Sequence, residues 1–264
     1  LRPMSQSNRG CPFSCTFCTD GSDLVKQVNK FSIDRVKNEL EYIAKKVPKN
    51  IHSMTISDLN FGMYPRDLEI CQTISDCQKK YEYPNIIQAS TGKNQKEKII
   101  NAIKSLNGAL RLSMSVQSMD QEVLENIRRS NISVDQMLAL APAIEEEKLG
   151  TTAEVILGLP GETYKSHIQT LRDLVKNNLN YVRPYTLMLL HGSEMNTPEQ
   201  REKWQFKTKF RILPKDFVKL SDGKKIIETE EVVISTSTLN FEEYIDLRLL
   251  AFIMFVTNIG LVYD

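Results

Sequence analysis

No stretch of this chain is apolar for long enough to cross a bilayer. The longest run, Leu249 to Val256, has eight residues, against the roughly 20 that a spanning helix needs. Net charge is nearly absent as well: 34 Lys and Arg stand against 33 Asp and Glu, a formal +1. That balance gives no electrostatic case for nucleic acid or an anionic membrane as partner. Nothing reads as a secretory leader, and with five cysteines in the chain this points to a reducing, cytoplasmic setting rather than a disulfide framework. Histidine is scarce. There are three, and the one nearest the N-terminal cysteines is His52, far along the chain, with only Asp20 close by. A structural zinc site normally takes a fourth ligand at short spacing.

What is present is a concentration of thiols. Cys11, Cys15 and Cys18 stand in the string Cys11-Pro12-Phe13-Ser14-Cys15-Thr16-Phe17-Cys18. The C-x3-C-x2-C spacing places three thiolates in one short loop and supplies no fourth. A cubane whose irons are all held by protein takes four cysteines; three leave one iron open to an outside ligand. Gly10 permits a tight turn just before the first thiol. Pro12, Phe13 and Phe17 add rigidity and an apolar cover that limits solvent access. Zinc or unligated thiols remain as the plainer alternative.

The rest of the chain alternates. After a short first strand near Arg2 to Gln6, strand-like runs fall at Ser53 to Asp58, Asn85 to Ser90, Leu110 to Val116, Thr152 to Gly158 and Tyr181 to Leu190, several of them rich in β-branched residues. Helix-like stretches lie between them, at Ile33 to Val47, Arg66 to Lys80, Gln95 to Leu106, Val134 to Lys148 and Tyr164 to Asn177. In the first helix Ile33, Val36, Leu40, Ile43 and Val47 recur at three- and four-residue steps, and Pro48 closes it. Pro65 suits a first turn. Ser118 with Gln121, and Ser133 with Gln136, read as capping boxes, and Gly150 as a C-terminal stop. Thr163 is a candidate N-cap. Strands joined by crossover helices argue for a parallel sheet. Repeated right-handed units curl it toward a barrel, with active-site loops at the strand C-terminal ends.

The extended string Asn8-Arg9-Gly10-Cys11-Pro12-Phe13-Ser14-Cys15-Thr16-Phe17-Cys18 resembles the cluster loop of the radical S-adenosylmethionine (SAM) superfamily. It is most similar to the branch whose members often carry an N-terminal cobalamin-binding domain. The resemblance implies an α/β fold, a partial (βα)6 TIM-like barrel, and a [4Fe-4S] cluster on Cys11, Cys15 and Cys18. Its open iron would chelate SAM, and an electron from the cluster would cleave SAM to a 5′-deoxyadenosyl radical that takes hydrogen from a substrate. An electron donor such as flavodoxin or ferredoxin is implied as a partner. A cobalamin-dependent methyltransferase or rearrangement enzyme and an enzyme using the radical alone both remain open. So does a non-catalytic iron–sulfur or zinc module of a larger assembly.

The resemblance also assigns the loops. Phe17 covers the cluster. Asp58, Asn60 and Gly62 follow the second strand, where the family's methionine-amine site usually reads Gly-Gly-Glu; Asp-x-Asn-Phe-Gly stands there instead. An Asx-type turn is the alternative for this loop. Gln117 and Ser118 follow the fourth strand, where ribose hydroxyls are met. Arg128 or its neighbour Arg129 suits the SAM carboxylate. Ser90, Thr91, Lys93 and Asn94 form a polar group after the third strand. Leu159, Pro160 and Gly161, after the fifth, resemble the turn that packs on adenine, and Leu190 after the sixth faces its edge. Glu162 serves the helix start, and His191 is a substrate-contact candidate. Cys71 and Cys77 read as packed thiols.

Residues 1–205 are read as the barrel and 206–264 as a short C-terminal β/α extension. The extension comprises two strands (Phe210 to Leu213, Ile226 to Ser235) around the turn Ser221-Asp222-Gly223-Lys224, then a helix from Phe241 to Thr257. Glu199 to Lys209 reads as a charged connector. With Leu1 at its head and the cysteine loop following at once, the chain reads as a core domain from a longer protein with an upstream domain.

Overall fold

The computed structural model describes residues 2–92, 96–110, 112–130, 151–177 and 181–259. The strands are β1 (Met4–Ser5), β2 (Asn8–Arg9), β3 (Asn29–Lys30), β4 (Ser53–Phe61), β5 (Ile86–Thr91), β6 (Leu112–Gln117), β7 (Thr151–Leu157), β8 (Tyr181–Thr186), β9 (Lys207–Lys219) and β10 (Lys225–Ser235). The helices are α1 (Ile33–Lys46), α2 (Asp67–Tyr81), α3 (Lys96–Lys104), α4 (Gln121–Asn126), α5 (Tyr164–Lys176), α6 (Pro198–Lys203) and α7 (Phe241–Ile259).

Six strands run parallel in chain order. β1, β4 and β5 form one sheet and β6, β7 and β8 a second. A parallel bridge between Ile87 and Leu110 joins the two. The register places Thr55 opposite Gln88, and Ser115 opposite Glu154, which in turn faces Arg183. This is the expected partial TIM-like barrel. Its two faces differ in chemistry. Met54, Ile56, Ile87, Ala153, Val155 and Val182 are buried in one cluster with Val36, Leu40, Ile70, Ile74, Leu171 and Leu174 of the helices. The residues that alternate with them, among them Thr55, Gln88, Ser115, Glu154 and Arg183, are half-buried or exposed and so line the inner face. The inner wall is polar, and Ser115 donates to Glu154 Oε2 across it at 2.8 Å.

Local signals explain most boundaries. Ser32 Oγ accepts from Arg35 N at 3.3 Å and opens α1, which Lys45 and Lys46 close; cations there complement the helix dipole. Thr163 caps α5 in a reciprocal box with Ser166. Other expectations are corrected. Pro65 lies ahead of the cap residue Arg66 rather than in the first turn of α2. Asp67 Oδ2 fills the role of a cap by accepting from Gly62 N and Tyr64 N. Ser118 does not cap a helix; Asp120 does, accepting from Val123 N at 3.1 Å to open α4, an element too short for periodicity to reveal. The charged connector holds a helix, α6, with Thr197 as cap and Pro198 at its first position. The helix expected over 134–148, its caps Ser133 and Gln136, Gly150, and the polar residues Lys93 and Asn94 lie outside the described residues.

The C-terminal extension is attached to the barrel edge. β10 pairs antiparallel with β9 and also reaches the chain after β8. Val233 N donates to Leu187 O at 2.9 Å and Leu189 N to Glu231 O at 3.0 Å. Arg201 clamps the same place, holding Asn196 Oδ1 and both oxygens of Glu231. Leu239, Tyr244 and Leu247 pack with Leu157 and dock α7. Among the described residues no helix is long and apolar enough to cross a membrane.

Candidate functional site

The cysteine loop follows β1 and β2 and is pinned at both ends. Gly10 has φ +109°, and a Cβ there would lie 2.2 Å from Gln27 O, so this position takes only glycine. Cys11 N donates to Val25 O at 2.9 Å; Cys18 N turns back to Cys15 O at 3.2 Å. Between them, Thr16 N donates to Ile127 O and Thr16 O accepts from Met195 N. The loop is thereby tied to the connections that follow β6 and β8.

Asp58 secures its approach. The carboxylate accepts from Ser7 N and Asn8 Nδ2, each at 2.7 Å, from Asn8 N at 3.3 Å, and from the Ser7 hydroxyl. Burial pushes its pKa up, opposed by the hydrogen bonds from Ser7 and Asn8. Asp58 was expected at the cofactor; the structure spends it on the segment leading into the loop.

Cys11 and Cys15 are buried and Cys18 half-buried. Side chains from two other connections reach the sulfurs of Cys11 and Cys15. Asn60 Nδ2 donates to Cys11 Sγ at 3.4 Å and Arg129 Nη1 to Cys15 Sγ at 3.8 Å. Arg129 is 6% exposed. Burial pulls its pKa down, with Cys15 and Cys18 acting in the opposite sense. Arg128, the residue chosen from the sequence, pairs with Glu194 on the wall of the cleft that Cys15 and Cys18 also line. Its left-handed φ of +50° turns the chain between the two arginines. Among the described residues no three His, Cys, Asp or Glu side chains close on one point as around a single metal ion. A cubane is a different demand, since its thiolates bind at separate corners.

The connection from β4 to α2 is rich in unsatisfied groups. Asn60 Oδ1, the Tyr64 hydroxyl, Arg66 Nε and Nη2, and Asp67 Oδ1 are all buried without a hydrogen-bond partner. Burial pushes the Asp67 carboxyl up to about 6. It raises the Tyr64 phenol too, with further contributions from Cys11, Asp67 and Asp58. Gly62, at φ +84°, lies where a Cβ would meet Ile99 at 3.3 Å, and its N–H is taken by Asp67. The buried, unpartnered side-chain atoms of Tyr64 and Arg66 were not expected from the sequence. The available signal was the density of polar side chains between Asn60 and Asp67.

Across the barrel mouth, Gln117 ends β6 at φ +64° and is 8% exposed. Left-handed backbone at a bulky residue stores strain, and such residues cluster at functional sites. Ser118 is buried, its Oγ accepting from Asp120 N. The turn after β7 is firmly built. Gly158 has φ +90° and Gly161 φ +80°. Glu162 Oε2 accepts from Gly158 N at 2.6 Å, and its other oxygen lies 2.8 Å from His167 Nδ1. Asn126 Nδ2 donates to Pro160 O at 3.2 Å. Leu159 is fully buried in a cluster that Phe17 covers, so its side chain serves packing. Pro160 is buried. Leu190 is 37% exposed, at the start of a connection whose His191, Ser193 and Glu194 face Cys15, Cys18 and Arg128 across a cleft of about 800 Å³. Cys71 and Cys77 are buried on α2, and burial pushes the Cys71 thiol up to about 12.

Comparison with known proteins agrees with this geometry. The chain is 31% identical over 247 residues to the cobalamin-dependent radical SAM methyltransferase TokK of Streptomyces tokunonensis, covering 91% of this chain and 35% of TokK. It is 30% identical over 245 residues to a 2-(S-pantetheinyl)-carbapenam-3-carboxylate methyltransferase of Streptantibioticus cattleyicolor, with the same coverage. It therefore spans about a third of the length of these curated relatives. Its fold matches the radical SAM methyltransferase TsrM of Kitasatospora setae, solved with cobalamin and a [4Fe-4S] cluster. That match has a TM-score of 0.63 and 13% identity, covering 81% of this chain and 40% of TsrM. Residues 5–174 match the model of the radical SAM superfamily, from the strand that leads into the cysteines to the helix beyond the Gly158 turn, and to that superfamily, whose members use SAM and a [4Fe-4S] cluster, the chain belongs.

Proposed function

We propose that this chain is the SAM-binding core of a methyltransferase, and that cobalamin, bound by polypeptide beyond these residues, takes part in the transfer. The relatedness to TokK and to the 2-(S-pantetheinyl)-carbapenam-3-carboxylate methyltransferase supports the reaction class. The observation that carries the site is the row of buried, unpartnered polar atoms on Asn60, Tyr64, Arg66 and Asp67, next to the thiols through the Asn60–Cys11 contact. Leaving a buried polar group unpaired costs about 1–3 kcal/mol each. A chain that carries several on one loop has a polar ligand to receive there.

The residues fit the implied groups. Cys11, Cys15 and Cys18 hold the cluster, and Asn60 and Arg129 already aim N–H groups at two of the sulfurs. Hydrogen bonds to cluster sulfur set its potential. When bound, the cluster supplies an electron and SAM the group that reacts. The protein's part is binding, orientation and exclusion of water. Asn60, Tyr64 and Arg66 hold the methionyl end of SAM, with Arg129 as the second cation available to its carboxylate. Gln117 and Ser118 meet the ribose, and the backbone of Gly158 to Gly161 with Leu190 flanks the adenine. The polar inner wall below them receives the substrate. We take 1–205 as the barrel and 206–264 as the extension, with a small electron-transfer protein as reductant.

Anaerobic reconstitution tests this reading. Reduced protein should cleave SAM to 5′-deoxyadenosine, slowly, without its substrate. Cys15→Ala should abolish the SAM-responsive cluster signal, and Cys71→Ala should leave it. Equal loss in both variants, or a loaded and reducible cluster indifferent to SAM, would overturn it.

A further inference from the structure

Asn60 faces two ways. Its side chain sits at the end of β4 and is 1% exposed. Nδ2 donates to Cys11 Sγ at 3.4 Å, while Oδ1 is buried with no partner. The orientation of the amide follows from chemistry. A thiolate bound to iron has no proton to give, so only the NH2 end can face it. The carbonyl end is therefore committed to the opposite side, where it lacks a donor. Neighbouring groups do not supply one: Gly62 N and Tyr64 N are both taken by Asp67 Oδ2.

We infer that Asn60 is a bridge through which occupancy of the SAM site is felt by the cluster. This rests on the reading of the site given above. A ligand ammonium placed on Oδ1 polarises the amide. Its N–H groups become stronger donors, because hydrogen bonds in a chain reinforce one another. The bond to Cys11 then draws more charge off the sulfur. Donors to cluster sulfur favour the reduced, more negative state, so ligand binding at one end of Asn60 raises the reduction potential at the other. One side chain thereby makes the cluster easier to reduce when SAM is in place and harder when it is not. An aliphatic residue breaks both ends of the bridge. Aspartate keeps the acceptor and loses the donor.

The test is an EPR-monitored redox titration of the full-length reconstituted protein, with and without SAM, in the wild type, Asn60→Leu and Asn60→Asp. The readout is the shift in midpoint potential caused by SAM, so that the fixed effect of a new charge in Asn60→Asp cancels. In the wild type SAM should move the potential upward. Asn60→Leu should lose most of that shift and bind SAM at least tenfold more weakly. Asn60→Asp should bind SAM within about threefold of the wild type and still lose the shift. If Asn60→Leu loads no cluster, Asn60→Asp alone decides. A full SAM-dependent shift in Asn60→Asp overturns the bridge while leaving the site reading intact. A wild type whose cluster spectrum ignores SAM overturns both.

Discussion

Two strand-to-helix connections at the same end of the barrel are built in opposite ways. The turn 158–163 closes on itself. Glu162 holds Gly158 N and His167, Asn126 holds Pro160 O, Thr163 and Ser166 cap each other, and Thr238 Oγ1 donates to Glu162 O at 2.7 Å. The connection 60–67 is left open, with five buried atoms unpaired on four residues. Both are tightly packed, so burial does not separate them; hydrogen-bond accounting does. The closed turn presents backbone at a fixed height and can serve a ligand through shape. The open one has polar capacity in reserve and serves through chemistry. The contrast predicts that substitutions in the first cost stability and those in the second cost binding.

The largest effect is expected at Glu162. Glu162 and His167 are each 1% exposed, and removing the carboxylate leaves Gly158 N and His167 Nδ1 without their shared partner, at about 1–3 kcal/mol for each buried group. Urea unfolding of Glu162→Ala should show that loss; a change below about 1 kcal/mol would mean that the turn does not depend on its internal contacts. Gly161→Val comes next. Its Cβ would lie 2.6 Å from Asn126 Nδ2, and overpacking with a strained φ should cost about 2 kcal/mol.

The open loop should behave otherwise. Tyr64→Phe and Arg66→Met remove buried groups that have no partner, so each should stabilise the ligand-free protein by about 1 kcal/mol while weakening SAM binding about tenfold, or 1.4 kcal/mol. Calorimetric titration of the reconstituted protein checks this, and unchanged affinity in both would erase the distinction. Asp67 should show the smallest effect, with a defined sign. Its folded pKa of about 6 lies above the roughly 3.9 of an unfolded chain. The native state therefore holds the extra proton between those values. Stability conferred by the protonated form is full below about pH 4 and lost as pH rises through about 6. Asp67→Asn keeps an acceptor for Gly62 N and Tyr64 N and removes the charge. It should stabilise the protein by about 1 kcal/mol at neutral pH and flatten the pH dependence between about 4 and 6.

The sequence carried the architecture well where periodicity or chain chemistry was local. The parallel strands, α1, and the Thr163 cap follow from alternation and capping residues next to one another. The cysteine loop was visible as a string. What it did not carry were long-range choices of partner. Asp58 looked like a ligand contact because its use by Ser7 and Asn8 spans about 50 positions. Tyr64 and Arg66 stood out only once their lack of partners could be counted. Short α4 has too few turns to show a period, and Asp120 rather than Ser118 opens it because the chain kinks at Gln117 first.

The left-handed residue at position 128 has one more consequence. Arg128 and Arg129 are the same letter twice, and as a string they carry no instruction about which of them addresses the thiols. The φ of +50° at Arg128 supplies that missing bit: it inverts the phase of the chain by one step, sending the first guanidinium to Glu194 and the second to Cys15. The fold thus resolves a degenerate message with a single torsion angle.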